Sequence, residues 1–103
     1  MADSETTESW GDLDPAYRPI VEHYIPEWLG LFIESSHDYG VESYNSLGSK
    51  GQFVDINRKV MKLKRAVWEG EPLKREEVRE VINDLVGHLF LLRLVLDEED
   101  GIR

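Results

Sequence analysis

The chain is 103 residues long, room for one domain, and has no cysteine, which excludes disulfides and thiolate-held metals. Its formal charge is −9, but residues 1–14 hold five acids and no base, and residues 97–103 four acids and one base, leaving only −1 between. No run approaches the about 18 apolar residues that a membrane span needs, so no membrane partner is expected.

The opening stretch, MADSETTESW, lacks the basic and apolar parts of a signal peptide, and a soluble cytoplasmic protein is expected. Residues 1–12 are rich in Ser, Thr and Glu and read as a disordered acidic tail; residues 98–103 read as an acidic C-terminal tail. A single helical domain is expected over residues 14–97. Asp14 before Pro15 marks a helix start, with a cap acceptor and then a proline whose missing N–H costs nothing in the first turn. Tyr17, Ile20, Val21 and Tyr24 add a short apolar stripe, and Pro26 should kink or restart the helix. A second segment, about Glu27 to Asp38, sets Trp28, Leu31 and Phe32 on one side. Gly40 and YNSLGSKG, residues 44–51, read as loop.

The third helix is expected from Gln52 to Trp68, where Phe53, Ile56, Val60, Leu63 and Val67 follow the 3–4 spacing of a buried face. Glu69-Gly70-Glu71-Pro72 should end it. The last helix, about Arg75 to Asp97, carries Val78, Val81, Ile82, Leu85, Leu89, Leu92 and Leu96. From Leu89 onward Phe90, Leu91, Leu94 and Val95 make it apolar nearly all round, and such a helix must be covered on several sides. The expected fold is all-α, a small antiparallel bundle of about four helices. One small chain can hardly cover its last helix, so Phe90, Leu91, Leu94 and Val95 are assigned to the interface of a homodimer or higher oligomer.

Acids line the shoulders of the apolar stripes: Glu34 and Asp38 on the second helix, Glu80 and Asp84 on the last. Carboxylates at the edge of a core are expensive unless paired or bound to a cation. Two helices that each offer acids four residues apart can hold Mg²⁺ or Mn²⁺, hard ions that take oxygen ligands and keep waters. Lys59 and Lys62 on the third helix can turn toward the same cleft, and metal plus lysine suits phosphate chemistry. The simpler alternative is that these lysines neutralise the acids without a metal. His88 is either a general base or partner of Asp84, or a core histidine held by a hydrogen bond. Residues 50–65 set six bases against Asp55 alone, a block that attracts phosphate or is a solvated face paired with acids elsewhere. Nucleic acid is not an expected partner, because the acidic tails repel it and the bases alternate with buried positions.

Three runs then carry a resemblance: HDYGVES at residues 37–43, FVDINRKVMKLKRAVWEG at 53–70 and EVINDLVGHLFLL at 80–92. Together they resemble the nucleotide-modification-associated domain family of bacteriophages, which is similar in outline to the MazG-like all-α nucleoside triphosphate pyrophosphohydrolases. The resemblance spans roughly residues 27–95. It implies a MazG-like bundle working in nucleotide metabolism in the cytoplasm of a phage-infected bacterial host. It also implies Mg²⁺ held by Glu34, Asp38, Glu80 and Asp84. The enzymes favour acids three residues apart, whereas the pairs here are four apart.

Two functions follow. The first is a metal-dependent nucleotide pyrophosphohydrolase-like or nucleotide-binding protein, with Glu80, Asp84 and Lys59 catalytic. Its substrate, a nucleoside triphosphate, would meet Lys59 and Lys62 at its phosphates and Tyr39 or Trp28 at its base. The alternative is a noncatalytic helical adaptor or inhibitor that binds another protein through the apolar last helix.

Overall fold

Asp14 opens the first helical segment as its side chain permits. Its Oδ1 accepts a hydrogen bond from the Ala16 N–H at 2.9 Å, and Pro15 begins the 3₁₀ turn Pro15–Tyr17. The structure is a computed structural model that describes residues 11–38, 47–72 and 75–101, the side chains of residues 38, 75 and 76 aside. Regular structure among the described residues is all helical, with no strand. Most of the acidic tail expected at residues 1–12, and the loop expected at Gly40 and residues 44–46, lie outside them.

A π-helical turn, Ile20–Tyr24, leads directly into helix α1, Ile25–Asp38. Of the kink or restart expected at Pro26, the restart does not occur. The Ile25 N–H reaches back five residues to the Ile20 carbonyl. That widened turn absorbs a proline that has no N–H and crowds the carbonyl four residues before it. Within α1, Trp28 and Phe32 lie one turn apart and stack with ring centroids 5.3 Å apart.

Helix α2 runs Gly48–Leu63 and continues as a π-helical turn, Lys64–Trp68. It starts at Gly48, inside the stretch expected as loop. Gly48 takes φ +64°, and the Ser49 N–H donates to the Glu99 carboxylate at 3.1 Å. The cap is thus a residue fifty positions away, with its negative charge on the positive end of α2. We expect Glu99→Ala to lower the stability of this unit by about 1 kcal/mol, measured by urea denaturation followed by circular dichroism. The far end of α2 closes as expected at Gly70, whose φ of +73° lets the Glu71 N–H return to the Arg65 carbonyl at 2.9 Å.

Helix α3 runs Arg75–Glu99, so Glu98 and Glu99 belong to the helix and not to the C-terminal tail. The chain divides into two compact units, Met1–Glu34 and Ser35–Arg103. In the second, α2 and α3 pack as an antiparallel hairpin, with Ser49 joined to Glu99, Gln52 to His88 and Lys59 to Asp84. Among the described residues few side chains are buried: Ile56 on α2, Val81 and Val95 on α3, and one polar residue, Gln52. Val95 is fully buried, so of the four residues assigned to an interface it is already covered within the chain. Phe90 is half exposed, and Leu91 and Leu94 are half-buried.

Candidate functional site

Lys59 lies one turn before Leu63 and close in rotation to the buried Ile56, so its stem runs along the seam of the hairpin. Its Nζ meets Asp84 Oδ2 on α3 at 3.1 Å. The lysine side chain is 21% exposed and the carboxylate 57% exposed, so the pair is anchored on one side and open to water on the other. Glu80, one turn before Asp84, is exposed, as is Lys62. Three of the residues selected as catalytic thus lie on neighbouring turns of the hairpin, and two of them touch.

His88, one turn beyond Asp84, takes the second of its two expected roles. Its Nδ1 lies 2.9 Å from Gln52 Oε1 in a part-buried contact, and with that oxygen accepting, Nδ1–H is the donor. Four of the six bases in residues 50–65 meet acids. Arg58 holds Asp55 at 2.7 Å, Lys59 holds Asp84, and Lys64 and Arg65 each reach an acid beyond the helix end at 3.9 Å.

The other selected residues belong to α1 or lie outside the described residues. Glu34 is exposed on α1, Trp28 is half-buried on α1 against Phe32, and the Asp38 side chain and Tyr39 lie outside the described residues. Among the described residues, no three His, Asp or Glu side chains gather closely enough to hold a metal ion. The hairpin itself offers two carboxylates one turn apart, Glu80 and Asp84. Among the described residues, no helix is long and apolar enough to cross a membrane.

Two structural residues escape the sequence reading. Glu99 reads as tail, and only the antiparallel packing shows that it caps α2. Gln52 reads as a helix start, although it lies four residues before Ile56, in phase with the buried position, and that spacing is the available signal. When the chain is compared with known proteins, no family model, no curated protein and no solved structure matches it.

Proposed function

We propose that this chain handles nucleoside triphosphates, as a MazG-like pyrophosphohydrolase relative or nucleotide-binding protein in the cytoplasm of a phage-infected bacterium. The support for it is that Lys59 and Asp84, on separate helices, meet at 3.1 Å on the water-open side of the hairpin, a contact that equally fits the simpler alternative in which the lysine neutralises the acid without a metal. An ammonium beside a carboxylate addresses both parts of a metal–triphosphate complex. Asp84 and Glu80 would offer oxygens to Mg²⁺ or Mn²⁺, while Lys59 and Lys62 would meet phosphate oxygens. Two carboxylates suffice when the ion arrives with its nucleotide, since Mg²⁺ keeps waters and shares its other positions with phosphates. When bound, such an ion supplies activated water and offsets phosphate charge as pyrophosphate leaves. The resemblance adds Glu34 and Asp38 to the same ligand set and Tyr39 or Trp28 to the base.

Calorimetry tests this reading. Mn²⁺ with a nonhydrolysable triphosphate analogue should give binding heat that Mn²⁺ alone does not. Asp84→Asn should weaken that binding at least tenfold, which is about 1.4 kcal/mol. The exposed ion pair contributes about 1 kcal/mol or less to stability, so the variant should remain folded for the comparison. No heat above dilution from the wild type, with or without nucleotide, would overturn the reading.

A second reading, a noncatalytic helical adaptor or inhibitor, is favoured by a different observation. Apolar side chains stand exposed on both hairpin helices, as on surfaces that other proteins cover.

A further inference from the structure

Beside Val54, Met61, Trp68 and Phe90, the exposed apolar residues of the hairpin include two columns seven residues apart: Phe53 and Val60 on α2 with Val67 in the π-helical turn that follows, and Ile82, Leu89 and Leu96 on α3. Each of these six is between 40% and 69% exposed. Both columns are displaced from the buried Ile56 and Val81 in the same rotational sense. In an antiparallel pair, that brings both to one side of the hairpin. At roughly 100 Å² left open on each residue, the six amount to about 600 Å² per copy, most of the about 800 Å² per partner that a standard interface buries.

Each edge of this face carries a cation. Lys64, which also reaches Glu69 at 3.9 Å, lines a shallow cleft with Val60 and Val67, and Arg93 lines another with Leu89. The matching occupant is an apolar ridge on an acidic segment, and this chain contains one. Residues 18–38 hold Glu22, Glu27, Glu34 and Asp38 against Arg18. On α1, Ile25 and Leu29 lie one turn apart and are about half exposed.

We propose that the hairpin face of one copy receives α1 of a second copy, with Ile25 and Leu29 as its ridge. The exchange is reciprocal, so each copy gives one helix and receives one, and the assembly closes as a two-fold dimer. The interface goes beyond the nucleotide reading and is tested without nucleotide, so either can fail alone.

Light scattering on the full chain should give twice the chain mass of 11.9 kDa. Leu89→Glu in the face and Leu29→Glu in the ridge should each reduce it to the mass of one chain, with helicity by circular dichroism unchanged. Mixing the two variants in equal amounts should restore dimers, because one face and one ridge remain intact between them. If Leu89→Glu loses helicity, the double variant Lys64→Glu/Arg93→Glu replaces it and should raise the dissociation constant about tenfold. A wild type at the mass of one chain would overturn the proposal. So would a dimer indifferent to Leu29→Glu, an unchanged dissociation constant in the charge variant, or a mixture that stays monomeric.

Discussion

Ile56→Ala should lower the stability of the hairpin by about 2–4 kcal/mol, seen as an earlier midpoint in urea denaturation followed by circular dichroism. Ile56 is 8% exposed and is the buried apolar residue of α2, facing a seam to which α3 contributes Val81. A core with so few buried side chains has little else to move into the vacated space. Most of the cavity therefore persists, and its cost adds to the lost transfer free energy. The variant should shift the midpoint without a large change in the denaturant slope, because the hairpin exposes similar surface on unfolding. Val54→Ala, at an exposed position of α2 outside the proposed face, provides the contrast. It should change stability by less than about 0.5 kcal/mol. Equal losses from the two variants would mean that Val54 is covered in the working form of the protein.

Gln52→Leu should cost about 1–3 kcal/mol although it replaces a polar side chain with an apolar one of similar size. Gln52 is 4% exposed, and its oxygen meets the His88 ring at 2.9 Å. Removing that oxygen leaves a part-buried ring N–H without its partner, and the desolvation penalty of the stranded group exceeds the gain from added apolar surface. The double variant Gln52→Leu/His88→Leu should recover at least half of the loss, since no polar partner is then left behind. Thermal or urea unfolding of the four proteins in the cycle measures the coupling. A loss from Gln52→Leu that the second change does not relieve would point to the other contacts of Gln52.

Much of the helical layout was legible in the sequence, because it depends on interactions a few residues long. Asp14 and Pro15 start a helical turn, and Gly70 ends α2. The spacing picks out Ile56 and Val81, which are buried, but Phe53, Val60 and Val67, expected on the same buried face as Ile56, stand exposed. Local signals also misled. Pro26 reads as a kink or restart, and the glycines at 48 and 51 read as loop. A π-helical turn carries the chain through the first, and a carboxylate from α3 stabilises the helix start at the second. The candidate site was legible as residue types on the right shoulders, Lys59 on one helix and Asp84 on another. Rotation per residue says which side of its own helix a group occupies, but not which group on another helix it meets. That choice depends on the register of α2 against α3. The register that buries Ile56, Val81 and Gln52 is the one that sets Lys59 on Asp84, Gln52 on His88 and Glu99 on the start of α2. Side-chain type and helical periodicity act within one or two turns and are written into the chain. Pairing between helices is decided by the packing of the whole hairpin, where burial of a few apolar groups selects one alignment and the polar contacts follow from it.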